Sequence, residues 1–191
     1  MIVEKSPIQQ RTRMGMLCLI ATEAIFFGML IIAFLYFRTA GYVGPNPKDS
    51  LNIGLTALFS ILLFSSSGTI YMADRSLARR DQRGLVIWLI ATVVLGAAFL
   101  IGQLTEYISL YNDDVTVSRN TFGTTFFTLT GFHGLHVFIG LIALSLLAIY
   151  NARGKLTEGK ATAVEAISLY WHFVDVVWIF VFSIVYLLAL L

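Results

Sequence analysis

The chain has 191 residues, of which 58% are hydrophobic and only 13% charged, with a formal net charge of +2. A water-soluble domain carries about 25% charged and about 45–50% apolar residues, so the excess apolar surface must face something other than water. The single cysteine, Cys18, excludes an intrachain disulfide and a CxxC zinc or redox motif, and nucleic acid is not among the expected partners.

The apolar residues fall into five blocks, each long enough for the roughly 20 residues of a helical span. The first covers 14–37, after the polar and basic stretch MIVEKSPIQQRTR. It is too long for a signal-peptide core and lacks a clear small-residue cleavage site, so it reads as a span. Glu23 lies in it, about nine residues deep, or roughly 14 Å at 1.5 Å per residue. An acid at that depth is costly. It is either a hydrogen-bonded structural group or a site that handles protons or lipid headgroups.

The second block, 51–73, leads into the charge run DRSLARRDQRG. The third, 85–108, closes on GQLTEY, which places Glu106 at the exit of a span, within reach of interfacial water. The fourth, 121–150, contains TGFHGLHVFIGLIAL. His133 and His136 are three residues apart, so their side chains lie about 60° apart on one helix face. Gly131, Gly134 and Gly140 beside them permit close helix approach. Two readings stay open here. The histidines ligate a metal or haem, with His172 and Asp175 as further ligands, or with one axial histidine from each of two helices. Alternatively they hydrogen-bond between helices.

The fifth block, 163–190, contains SLYWHFVDVVWIFVF. His172 and Asp175 are again three apart, and a pair between them, or with a neighbouring helix, would offset the cost of the aspartate. Trp171 and Trp178 lie on nearly one stripe, too deep for an interfacial aromatic belt to account for both. Glu165, at the entrance of this block, is expected to be solvated.

The connections are short, so residues 1–191 form one domain: an all-α, polytopic bundle of five transmembrane helices. Ten Lys and Arg lie before the first span and in the second and fourth loops, against three on the other side. Basic residues favour the cytoplasm, which places the N-terminus there and the C-terminus outside, on the periplasmic side. Arg153 and Lys155, in the fourth loop, are candidate contacts for lipid headgroups.

At these residues the chain resembles subunit III of the haem-copper terminal oxidases, in its short five-helix bacterial form. TEAIFFGMLIIAFLYF is similar to the family's Ser/Thr-Glu-x-x-Phe-Phe segment, and LFSSSGTIYMA to its serine-rich second helix. GQLTEY matches a Gln-x-x-Glu-Tyr pattern, and GTTFFTLTGFHGLHVFIGL and YWHFVDVVWIFVF are the two most specific signatures. The likeness runs from about Met14 to Leu191. The chain departs from longer members in having five spans rather than seven, and from many relatives in having Asp74-Arg75 where they carry two histidines.

The resemblance implies a non-catalytic subunit of a proton-pumping respiratory oxidase in the bacterial cytoplasmic membrane. Haems and copper would belong to the catalytic partner, subunit I, with none in this chain, and phospholipid is a candidate ligand. It also implies that Glu23 supports proton uptake and that His133 and His136 are structural or proton-linked rather than metal ligands. Depth counted at about 1.5 Å per residue puts Glu23, His133, His136, His172 and Asp175 in one structural or proton-linked polar layer. One of His133 and His136 is expected to point at Glu23. The competing readings are a small quinol-oxidising anchor that binds haem b, and a proton-coupled transporter. The second lacks the internal repeats common in such folds.

Overall fold

A computed structural model describes residues 6–41, 52–118, 120–153 and 157–188. Five long helices account for most of them: α1 (Pro7–Thr39), α2 (Ile53–Ala78), α3 (Gln82–Asn112), α4 (Thr121–Ala152) and α5 (Glu158–Phe182). All five are long and apolar enough to cross a membrane. A single π-turn, Ser183–Leu187, follows α5.

Each helix starts on a residue that can cap it. Ser6, Asn52, Asp81, Asn120 and Thr157 each accept a hydrogen bond from the backbone N–H three residues on, which satisfies a donor the first turn leaves unpaired. Ser6 and Gln9 form a reciprocal capping box, with Pro7 in the first turn. The last carbonyls are partly met by side chains. Arg38 donates to the Leu188 carbonyl after the π-turn, and Lys160 Nζ donates to the Tyr150 carbonyl at 2.7 Å while lying over the Tyr150 ring.

The helices outrun the apolar blocks. α2 continues past Ala73 through Asp74 to Ala78, because Asp74 accepts a hydrogen bond from Ser168 of α5 and need not end the helix in water. Consecutive helices α2–α3, α3–α4 and α4–α5 pack together, α5 closes back on α2, and α1 lies against α4 and α5. Only Phe27 and Phe34 of α1 are buried, which makes it the peripheral helix.

Lipid is as apolar as a leucine side chain, so close packing and hydrogen bonds, not escape from water, hold such helices together. The centre is aromatic: Trp171, Trp178, Tyr186, Phe99, Phe122 and Phe126 are each at most 1% exposed. Glycines make room for them. A Cβ on Gly96 would sit 2.7 Å from the Trp171 ring, and one on Gly140 would sit 2.9 Å from it. Both are closer than the ordinary carbon–carbon contact of about 3.5–4.0 Å.

Candidate functional site

Three separate polar clusters lie within the bundle. The first joins α1 to α4. His136 Nε2 is 3.1 Å from Glu23 Oε2, so one of the two histidines does point at Glu23. His136 Nδ1 is 2.7 Å from the Phe132 carbonyl. A carbonyl only accepts, so Nδ1 carries a hydrogen. Nε2 and Oε2 then share one further proton. The pair is either imidazolium with carboxylate or imidazole with carboxylic acid, and both forms are neutral overall. The pair remains partly exposed, Glu23 at 28% and His136 at 13% of their side chains. Tyr170 of α5 donates to the His136 carbonyl at 3.0 Å.

The second cluster joins α2 to α5. Ser67 donates to Asp175 Oδ2 and lies 3.3 Å from His172 Nδ1. Its one hydrogen is given to Asp175, so its oxygen accepts from His172 Nδ1–H. His172 and Asp175 are thus joined through Ser67. Asp175 is 3% exposed. His172 also lines a cavity of about 850 Å³ among α1, α2 and α5, with Arg13, Asp74, Arg80, Glu165 and Ser168. Asp74 Oδ2 accepts from Ser168 at 2.5 Å, and Asp74 and His172 interact electrostatically.

The third cluster lies toward the other end of the bundle and overturns an expectation. Glu106 is not solvated but 4% exposed. It accepts from Thr56 at 2.9 Å and from Tyr186 at 2.6 Å. The reason is length: α3 runs on to Asn112, so Glu106 is inside the helix, and the π-turn brings Tyr186 over it. Next to it, Gln103 Nε2 donates to the Thr130 carbonyl and to Tyr107 Oη. Glu165 is exposed.

His133 requires a second correction. It is fully buried, and neither ring nitrogen has a hydrogen-bond partner among the described residues. Its ring stacks on Trp178, with centroids 4.7 Å apart and planes at 25°, and meets Phe99 and Phe27 edge-on. It is an aromatic core residue, not an interhelical hydrogen bonder. The five residues therefore do not satisfy one another in a single layer. Glu23 and His136 pair, His172 and Asp175 meet through Ser67, and His133 stands apart among rings.

Ser60, with Ser66 and Ser67 of LFSSSG, takes a part that the sequence reading does not include. Trp171 Nε1–H donates to Ser66 at 2.9 Å, and Trp178 Nε1–H to Ser60 at 2.8 Å. With Ser67 under His172, α2 offers three hydroxyls to three ring N–H groups of α5. The similar spacings on antiparallel neighbours, six residues from Ser60 to Ser66 and seven from Trp171 to Trp178, were the available signal.

The geometry gives the haem-anchor reading no support. His133 is enclosed by aromatic rings, and both nitrogens of His136 already have partners. Among the described residues no three His, Cys, Asp or Glu side chains gather. Arg153 is exposed at the end of α4, and Lys155 lies outside the described residues.

Residues 3–190 match the protein family described as cytochrome c oxidase subunit III. The chain is 36% identical over 178 residues to cytochrome c oxidase subunit 3 of Thermostichus vulcanus, covering 92% of this chain and 87% of the relative. It is 35% identical over 175 residues to that of Corynebacterium diphtheriae, covering 90% and 85%. With the subunit 3 of a Synechocystis species it shares 38% over 174 residues, covering 90% and 73%.

Proposed function

The chain belongs to the cytochrome c oxidase subunit III family, and from that premise we propose that it is the non-catalytic third subunit of a haem-copper respiratory oxidase. The observation that carries this is the family match across residues 3–190. In this reading oxygen reduction takes place in the partner, subunit I, which holds the haems and copper. This chain supports that subunit through turnover and contributes to its proton supply.

The feature that supports a proton-linked role is the Glu23–His136 pair. Nε2 and Oε2, 3.1 Å apart, hold one proton between them, and its position can change with no change in net charge. That lowers the cost of keeping an acid within a membrane span. The His172–Ser67–Asp175 arrangement, open to the α1–α2–α5 cavity through His172, is a second place where a proton is held near a polar mouth.

Five apolar helices place the protein in a membrane. We assign it to the bacterial cytoplasmic membrane because its relatives are bacterial. The excess of Lys and Arg on one side supports a cytoplasmic N-terminus. Arg153 and Lys155 are assigned to lipid headgroups on that side.

The test is a mild-detergent pull-down through this chain, followed by subunit identification and a visible spectrum. A larger haem-bearing subunit should co-purify, and the spectrum should stay with it when the subunits are separated. Stoichiometric haem retained by the isolated chain and lost in His172→Ala would overturn the proposal.

A further inference from the structure

We propose that the small cavity enclosed by α2, α3 and α5 is a built site for a single water molecule, held by Gln103 and Glu106. The cavity measures about 10 Å³ and is lined by Thr56, Phe59, Phe99, Gln103, Glu106 and Trp178. One water needs at least about 10–15 Å³ of such space and two to four polar partners. The volume is at the lower bound for one water and leaves no room for a second.

The partners come from hydrogen-bond accounting. The orientation of the Gln103 amide is determined by its surroundings. Its nitrogen lies 2.7 Å from the Thr130 carbonyl and 2.9 Å from Tyr107 Oη. A flipped amide would set oxygen against a carbonyl, two acceptors face to face. Nε2 is therefore the group at Thr130, and Oε1 is the group left over. Gln103 is 8% exposed, and Oε1 has no hydrogen-bond partner among the described residues. Buried polar atoms without protein partners are where ordered water is found.

Glu106 supplies the second anchor. Its carboxyl group accepts one bond at each oxygen, from Thr56 and Tyr186. An ionised carboxylate offers about four acceptor sites, so a third donor is accommodated. Gln103 and Glu106 are three residues apart on α3 and share a face. A water between them gives one hydrogen to Oε1 and one to the carboxyl group. Phe59, Phe99 and Trp178 close the remaining walls with apolar surface.

Bound there, the water joins two networks that the protein alone leaves separate. On one side are Thr56, Glu106 and Tyr186, linking α2, α3 and the π-turn. On the other are Gln103, Tyr107 and Thr130, linking α3 to α4. Gly134 keeps this arrangement possible, since a Cβ there would lie 2.9 Å from Gln103 Oε1. The proposal is independent of any proton-linked role of Glu23 and His136.

The experiment is an electron cryomicroscopy map of the whole oxidase complex, sharp enough to show other buried waters. One isolated peak is expected within hydrogen-bonding distance, about 2.7–3.2 Å, of both Gln103 Oε1 and a Glu106 oxygen. A map that shows buried waters elsewhere and nothing here would overturn the proposal, and the unaltered complex decides this by itself. Gln103→Met, close in shape but without the amide acceptor, should lose the peak while Glu106 keeps its bonds to Thr56 and Tyr186. A peak that persists unchanged in that variant would also overturn it, since Gln103 would then not be holding the water.

Discussion

Three adjacent serines of α2 provide a graded test of how this bundle is held. Ser65 is exposed and bonds only its own helix, through the Ile61 carbonyl. Ser66 is buried and receives the Trp171 indole N–H. Ser67 donates to Asp175, which is 3% exposed and whose other oxygen has no partner among the described residues. Each is to be changed singly to alanine, removing one oxygen from the same segment. Ser65→Ala should fall within about 0.5 kcal/mol of the parent, as exposed changes do. Ser66→Ala orphans a neutral donor, and interhelical bonds in membranes average about 0.6 and reach about 1.7 kcal/mol. Ser67→Ala removes the donor to a buried carboxyl group, for which the cost is about 1–3 kcal/mol and greater if the group is charged. The expected order of destabilisation is therefore Ser67, then Ser66, then Ser65. The assay is reversible denaturation of the chain in mixed detergent micelles, with Ser67→Ala repeated in an Asp175→Leu background. The Ser67 effect should shrink by more than about 0.5 kcal/mol there, as for residues in direct contact. Equal costs at all three serines, or a Ser67 effect unchanged without Asp175, would refute the reasoning.

Gly96→Ala should cost about 1–3 kcal/mol, because the added methyl overlaps the fixed Trp171 ring. Gly131→Ala, whose nearest foreign atom would be 3.7 Å away, should be neutral or gain up to about 1 kcal/mol from helix propensity; the same micelle denaturation compares them. His133→Phe should leave the complex assembled, since the ring stacks and makes no hydrogen bond to the described residues. His136→Phe should leave Glu23 without its partner and lower the rate of proton uptake, measured with a pH-sensitive dye during turnover. Cysteine introduced at Arg79 should be labelled from the cytoplasm and at Asn112 from the opposite side, and the reverse pattern would invert the orientation.

Block length and composition made the five helices legible, and the serine, asparagine, aspartate and threonine caps are readable as starts. The pairing of Glu23 with one of the histidines was also accessible, because depth along each span can be counted at 1.5 Å per residue. Which histidine pairs was not: rotation about each helix axis decides it, and periodicity is nearly uninformative in helices apolar on all sides. His133 shows the consequence, turned inward onto Trp178 while His136, one turn on, meets Glu23. Glu106 was misplaced because the apolar block ends before the helix does, and polar residues in the last turns of α3 hide its length. Asp74 was hidden for a similar reason, since it resembles the start of a loop until Ser168 is seen beside it.

In the proposed function this subunit sustains an oxidase whose chemistry lies elsewhere. The most direct measurement is oxygen consumption, followed over many turnovers, by the complex purified with and without this chain. The depleted complex should still reduce oxygen at the outset, then lose activity during turnover or take up protons more slowly, and recover when the chain is restored. A depleted complex that assembles fully and matches the parent in initial rate, proton pumping and lifetime would contradict it.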